Sequence, residues 1–296
     1  MKVITRIQGG LGNQLFCYAA ARRLALTNNA ELVIDDVTGF ARDKQYRREY
    51  ALEHFSIPAR KATSSERLEP FERYRRGINK WLSRRKPFSE RYYIEQEGVN
   101  FDNRLLDLKV NDCRYLDGLW QGEGYFKDIE EIIRGDLKII PPNDTLNLKM
   151  ADEICSSNSV ALHVRWFNSL GDDETHNVSV EYYNNAISMI DREFESPRYF
   201  LFSDDVDAAR EKLKLTSKDV VYISHNKGEK NAYADLWLMQ QCKNFIIANS
   251  TFSWWGAWLS EANQKTVITP DIIADGKSAW GFHGLIPAEW VKIKPI

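Results

Sequence analysis

The feature that most constrains this chain is a glycine-rich turn set between a short apolar run and a helical stretch. Val3 to Gln8 reads as a buried strand, Gly9-Gly10-Leu11-Gly12 as a tight turn, and Asn13 to Thr27 as a helix with Leu15, Phe16, Ala19 and Leu24 near one side. Glu31 to Asp35 follows as a second strand. Strand, turn, helix and strand within 35 residues make a βαβ unit, whose crossover is right-handed and whose strands run parallel. A chain that opens this way builds an α/β lobe.

Tyr115 to Trp120 reads as another strand and Tyr125 to Leu137 as a helix, after which Pro141-Pro142-Asn143-Asp144 breaks the pattern. The chain therefore divides into 1–142 and 143–296, in keeping with 296 residues and about 150 per domain. In the second part, strands Val160 to Trp166, Tyr199 to Ser203, Val220 to Ile223, Asn244 to Ala248 and Thr266 to Thr269 alternate with helices. The helices are Val180 to Phe194, Asp207 to Leu213, Asn231 to Gln241 and Phe252 to Leu259, the pattern of a doubly wound sheet.

Composition narrows the function. With 43% apolar and 12% aromatic residues the chain can bury a large core, which excludes global disorder. Its 40 basic and 42 acidic side chains leave a net charge of −2, against a role in coating nucleic acid. No run of about 18 apolar residues is present, and the opening residues lack the apolar core and cleavage site of a secretory signal, so the chain reads as cytoplasmic. Cys17, Cys113, Cys155 and Cys242 show no CxxC spacing and read as reduced, packed thiols, with no metal site signalled. Between Arg60 and Arg91 eleven basic residues face four acidic ones, interleaved with Phe71, Tyr74, Trp81 and Phe88. This window reads either as a solvated helical hairpin or as a contact with an anionic membrane surface or a lipid-linked acceptor, the membrane in question being the inner one.

In open parallel sheets ligands lie beyond the carboxyl ends of the strands, and here those ends are polar. Gly10, Gly12, Asn13 and Gln14 open the first helix, where backbone amides can approach a phosphate; the competing reading is a purely structural turn. The turn lacks the Lys-Ser/Thr of a P-loop and the third glycine of a dinucleotide fingerprint. His163 and Arg165 share one face of a strand, and a buried Arg there needs a phosphate or a salt bridge to Asp204 or Asp235. Ser203, Asp204 and Asp205 follow the next strand; an Asp could accept from guanine, bind metal as a pair, or cap a helix. Asn249, Ser250, Thr251, Phe252 and Ser253 start a helix whose free amides and hydroxyls suit a phosphate. Trp254, Trp255 and Trp258 then read equally as core or as a wall for sugar stacking.

Taken together, Gly-Gly-Leu-Gly-Asn-Gln-Leu-Phe (9 to 16), Leu-His-Val-Arg (162 to 165), Leu-Phe-Ser-Asp-Asp (201 to 205), Asp-Leu-Trp-Leu-Met (235 to 239) and Ile-Ile-Ala-Asn-Ser-Thr-Phe-Ser-Trp-Trp-Gly-Ala-Trp (246 to 258) resemble the bacterial α-1,2-fucosyltransferase family in order and spacing. The resemblance implies an α/β, GT-B-like fold of two Rossmann-type lobes with the donor site in the cleft between them, the first on the acceptor side and the second binding the GDP-sugar. It implies GDP-fucose as donor, a β-galactoside acceptor, inversion at the anomeric carbon and no required metal or other cofactor. Arg165 would then hold the β-phosphate, with His163 and an Asp of the 204/205 pair near the nucleoside and Ser250 to Ser253 completing the phosphate pocket. Trp120, Gln121, Trp166, Asn168 and His176 are the acceptor-side candidates.

The chain departs from that family at one place. The usual His-x-Arg-Arg-Gly-Asp reads His163-Val-Arg-Trp-Phe-Asn168 here, so Trp166 replaces the second Arg and Asn168 the Asp. An inverting transferase needs an acceptor for the hydroxyl proton, and Asp172, Asp173 and Glu174 are the nearby carboxylates. Competing functions are transfer of another GDP-deoxysugar such as a 3,6-dideoxyhexose, transfer to another hydroxyl, and a GDP- or glycan-binding protein without turnover.

Overall fold

A computed structural model describes residues 1–41, 43–44, 46–166, 178–216, 218–272 and 280–295. The chain forms two compact units, Met1–Ile140 with His283–Pro287, and Pro141–Phe282 with Ala288–Ile296. The break falls at the expected prolines, but the return of 283–287 to the first unit means that the second is not one continuous segment. One backbone and one side-chain hydrogen bond hold that return in place: Phe101 N–H donates to the His283 carbonyl at 2.9 Å, and His283 N–H to Asn100 Oδ1 at 3.0 Å.

The first unit contains β1 (Lys2–Arg6), α1 (Leu11–Thr27), β2 (Glu31–Asp35), β3 (Arg60–Lys61), α2 (Glu72–Arg84), β4 (Tyr93–Glu95), β5 (Cys113–Asp117) and α3 (Glu130–Asp136). Its sheet runs β3-β2-β1-β5-β4, every pair parallel. The second unit contains α4 (Thr145–Ser156), β6 (Ser159–Val164), α5 (Val180–Glu193), β7 (Arg198–Ser203), α6 (Val206–Leu213) and β8 (Val220–Ile223). It continues with α7 (Ala232–Gln240), β9 (Asn244–Ile246), α8 (Thr251–Leu259), β10 (Val267–Pro270) and β11 (Val291–Ile293). Its sheet runs β11-β10-β9-β6-β7-β8, again parallel throughout. Both units are thus Rossmann-type, as the βαβ opening and the later alternation imply. Each sheet reverses its chain order beside its first strand, between β1 and β5 and between β6 and β9.

Every residue of β6 is buried, as expected where helices cover both faces of a parallel sheet. One face, Val160, Leu162 and Val164, packs with Tyr182, Tyr183 and Ile187 of α5 and with Tyr199 and Leu201 of β7. Three expectations fail for local reasons. Tyr115 to Trp120 is a strand only to Asp117, because Gln96 Oε1 then takes the Leu119 and Trp120 amides at 2.8 and 3.1 Å. The helix expected from Tyr125 begins at Glu130, after two short 3-10 turns. The basic window is not a hairpin of two helices: its first half is β3 and a turn in which Glu66 binds Arg60, Lys2 and the Thr63 amide, and α2 is followed only by the short 3-10 turn Phe88–Glu90. The structure adds α4, capped by Asp144 accepting from Asn147 N–H at 2.9 Å, and the three-residue strands β4 and β11.

Gly39 lets the loop after β2 cross the end of β1, since a Cβ there would sit 1.8 Å from the Ile7 carbonyl oxygen. We expect Gly39→Ala to lower the unfolding free energy by about 1–3 kcal/mol through overpacking, seen as a reduced urea midpoint at unchanged slope.

Candidate active site

The two-residue period of β6 divides the side chains of its last turn of sequence: Leu162 and Val164 enter the core, while His163 faces α8. Because the chain order reverses between β6 and β9, residues past their carboxyl ends line the crevice where open parallel sheets bind ligands. His163 Nδ1 lies 2.8 Å from Ser253 Oγ, and its ring is 5.7 Å from that of Phe252. The Ser253 hydroxyl donates to the Ser250 carbonyl at 3.3 Å, so it accepts from Nδ1–H and leaves Nε2 as an acceptor. Burial, reinforced by Arg165, pushes the His163 imidazole down to about 3. It is therefore neutral at physiological pH, held in place by its bond to Ser253.

Arg165 follows β6, and its Nη1 stands 3.1 Å from Asp204 Oδ2 beyond β7, while Asp204 Oδ1 accepts the Trp166 N–H at 3.1 Å. The salt bridge weighed for Arg165 is thus formed, to Asp204 and with both side chains about a quarter exposed, at 27% and 26%. Desolvation raises the Asp204 carboxyl and Arg165 opposes it. Such a pair at the mouth of a crevice is exchangeable, because a phosphate offers the guanidinium a bidentate partner of higher charge. Asp205 and Ser203 have other duties: Asp205 caps α6 by accepting from Ala208 N–H at 3.0 Å, and Ser203 Oγ bonds the Asp205 backbone at 3.1 Å. The capping alternative is thus realised through Asp205 Oδ1, a duty compatible with a ligand contact through the other oxygen.

Asn249 to Ser253 form the junction between β9 and α8. Ser250 caps the helix, its Oγ accepting from Phe252 N–H at 3.3 Å, and the positive end of the helix dipole lies beside His163. Trp254, Trp255 and Trp258 turn away from this junction and bury against one another and Trp290, with ring centres 5.0 to 6.1 Å apart. They are core, which decides between the two readings. Trp166, expected on the acceptor side, is also buried in the α5–β7 cluster, with Lys212 Nζ 4.4 Å from its ring centre. Its indole presents no stacking face.

One carboxylate entered the sequence reading only as a possible partner for Arg165. Asp235, in the first turn of α7, accepts instead from Asn226 Nδ2 at 2.9 Å, and Asn226 follows β8 on the same carboxyl edge of the sheet. Burial pushes Asp235 up to about 7 against the opposing Asn226 bond. A carboxyl so perturbed at a strand-end edge is a functional candidate. Its sequence signal was a lone Asp within the apolar run Ala-Asp-Leu-Trp-Leu-Met.

In the first unit Gly9 takes φ +78°, and Gly10 caps α1 with no side chain of its own. Gly12 is buried in the first turn. Gln14 is a latch and not a ligand group: Nε2 donates to the Gly9 and Glu49 carbonyls and Oε1 accepts from Ala51 N–H, each at 2.9 Å. The latched segment carries Arg48, whose Nε would lie 3.6 Å from a Cβ on Gly10 and whose guanidinium covers the Tyr46 ring at 4.0 Å. Nothing in the spacing around Arg48 flagged it; only the fold places this cation beside the glycine turn. Asn13 Oδ1 accepts from Gln121 Nε2 at 2.8 Å, joining two expected site residues across the β1–β5 reversal. Trp120 is fully buried at φ +50°, edge-on to Tyr125, and offers no face to a sugar. Asn168, Asp172, Asp173, Glu174 and His176 lie outside the described residues. Among the described residues no three His, Cys, Asp or Glu side chains group to hold a metal ion.

Residues 2–294 match the profile of glycosyl transferase family 11. The chain belongs to that family. Among curated members of similar sequence, an Escherichia coli α-1,2-colitosyltransferase is 30% identical over 99% of both chains. The Escherichia coli O-antigen biosynthesis glycosyltransferase WbnK is 30% identical over 89% of this chain and 92% of its own. The GT-B fold is shared with NodZ α-1,6-fucosyltransferase soaked with GDP-fucose, at TM-score 0.51 and 15% identity over 87% of this chain and 92% of that one. It is shared also with Arabidopsis thaliana FUT1 in complex with GDP, at TM-score 0.53 and 12% identity over 90% and 69%.

The two perturbed groups of this glycosyltransferase give opposite pH dependences. His163 titrates near 3 when folded against an ordinary 6.5, so below about 6.5 the unfolded chain takes a proton the folded one refuses, and stability falls toward acid. Asp235 titrates near 7 against an ordinary 3.8, so its folded form holds a proton the unfolded chain releases, and stability falls as pH rises through that window. We expect Asp235→Asn to stabilise the protein by on the order of a few kcal/mol at about pH 8 and hardly at about pH 4, and His163→Asn to flatten the acid limb. Urea unfolding across that range reads both.

Proposed function

We propose that this chain transfers L-fucose, or a closely related 6-deoxyhexose, from its GDP-sugar to the 2-hydroxyl of a β-galactoside during O-antigen synthesis, with inversion and without a metal. The observation that carries this reading is Arg165 just past the carboxyl end of buried β6, salt-bridged to Asp204 with both side chains about a quarter exposed, beside the strand whose His163 meets the first turn of α8. This arrangement supplies positive charge where a diphosphate leaving group develops negative charge. The family assignment and the named activity of the colitosyltransferase relative support the sugar class and linkage; the name of WbnK supports the pathway.

In the proposed reaction the acceptor oxygen bonds to the anomeric carbon as the bond from that carbon to the β-phosphate oxygen breaks. The electron pair leaves with GDP, its charge met by Arg165 and the first amides of α8, and the hydroxyl proton passes to a carboxylate, for which Asp172, Asp173 and Glu174 are the candidates. Neutral His163 offers Nε2 as an acceptor to the donor, and Asp235 or Asp204 a carboxylate to the N1–H and amino group of guanine. Gly10, Asn13 and Arg48 form a second polar site in the first unit, for acceptor or phosphate.

A second reading is transfer of a 3,6-dideoxyhexose, favoured by the colitosyltransferase relative. Turnover of GDP-fucose and of a GDP-3,6-dideoxyhexose on one β-galactoside, in EDTA, with the linkage determined by NMR, separates the two. We expect an α-1,2 product, and a loss of about 10²–10³-fold in kcat/KM for Arg165→Ala. Absence of transfer from every GDP-deoxysugar, or an Arg165→Ala variant of full activity, overturns the proposal.

A further inference from the structure

α2 is packed the opposite way to an ordinary surface helix, whose apolar stripe faces the core. Its one buried residue is Ser83, whose Oγ accepts from Tyr93 N–H at 3.0 Å. On neighbouring turns Lys80 bonds Glu95 at 2.8 Å and pairs with Asp117 at 3.0 Å, and Arg84 reaches Glu95 at 2.7 Å. Polar groups therefore fasten the helix to β4 and β5. Its apolar residues point outward: Phe71 is 72% exposed, Tyr74 73%, Ile78 57%, Trp81 53% and Leu82 47%.

At about 100° per residue these five side chains fall in a single stripe roughly 100° wide. Arg75 borders it on one edge and Arg73 and Arg84 on the other, while Arg85 lies 3.4 Å over the Trp81 ring and Lys86 follows at the end. Soluble surfaces seldom expose so many large apolar side chains side by side, and such patches mark interaction sites. Aromatic residues in the stripe with basic residues at its borders match a helix lying in a membrane interface, the long basic chains reaching the headgroups.

We propose that α2 seats this protein on an anionic phospholipid surface, with Phe71, Tyr74, Ile78, Trp81 and Leu82 at the headgroup–acyl boundary and Arg73, Arg85 and Lys86 on lipid phosphates. Charge selects this occupant. Carboxylates outside the window neutralise Arg60, Lys61, Lys80, Arg84 and Arg91, but among the described residues none forms a salt bridge with Arg73, Arg75, Arg85 or Lys86, which leaves a basic surplus beside the stripe. A second copy of the chain meeting it about a two-fold axis would set these basic residues against their own copies, whereas an anionic leaflet attracts each of them. Among the described residues no helix is long and apolar enough to cross a membrane, so this attachment is peripheral.

The test is co-sedimentation of the full chain with vesicles of phosphatidylglycerol and phosphatidylethanolamine, against vesicles of phosphatidylcholine alone. We expect binding to the anionic vesicles that weakens as salt rises. Affinity should fall by about tenfold or more in both Ile78→Glu/Trp81→Glu and Arg73→Glu/Lys86→Glu. Urea midpoints near the parent's, and unchanged turnover of a water-soluble acceptor, would show that neither variant is misfolded. The proposal is overturned if the parent does not bind anionic vesicles, if both variants bind as the parent does, or if the face proves to hold a dimer that Ile78→Glu/Trp81→Glu dissociates without any vesicle binding.

Discussion

The second unit depends on a strand that exposes nothing along its length and then delivers a guanidinium at its end. Burying β6 on both faces fixes the backbone up to Val164, and the salt bridge to Asp204 holds the guanidinium that the next residue carries. The same burial is costly for any charge, and the two neighbouring ionisable groups answer it differently. His163 is kept neutral and bonded to Ser253, while Asp204 stays at the rim, where Arg165 can compensate its desolvation. An anion entering here meets a cation whose present partner is also at the rim.

The first unit resolves the corresponding crevice in another way. At the carboxyl ends of β1 and β5, Arg6 pairs with Asp117 at 3.0 Å, and Tyr93 and Lys80 also reach that carboxylate. Burial works against the ionised Asp117, but Arg6, Tyr93 and Lys80 together outweigh it and hold the carboxyl below its ordinary range. The glycine turn is a further polar feature of this unit, where Gln14 ties two loops together and Arg48 comes alongside.

Long elements with strong periodicity were legible from sequence. α5, β7, β8 and α8 lie within a residue of their expected limits, because each buries a continuous face and tertiary packing agrees with local preference. The strand-end motifs were legible as a set, since a parallel sheet must place them on one edge. Their individual duties were not. Gln14, Ser203 and Asp205 carry residue types that serve a ligand or the backbone equally well, and only their bonds show that the backbone uses them. Trp120 and Trp166 belong in the same group, because an indole in a polar motif reads alike whether it faces a sugar or a core. β4 and β11, at three residues each, have too little pattern to detect, and the partner strand supplies their identity.

The sequence by itself determined the class of the protein: two parallel α/β sheets, a cation at the end of a buried strand, a glycine turn opening a helix, and a family membership carried by motif order. These follow from local propensity and hydrophobic period, which neighbouring residues express without help from the rest of the chain. Tertiary structure alone decided that Arg165 meets Asp204, that Asp235 is buried beside Asn226, that Arg48 approaches Gly10, and that α2 turns its apolar side outward. Each of these rests on residues far apart in sequence, or on which side of a helix finds a partner. Burial and charge compensation are properties of the assembled surroundings, which no local pattern contains.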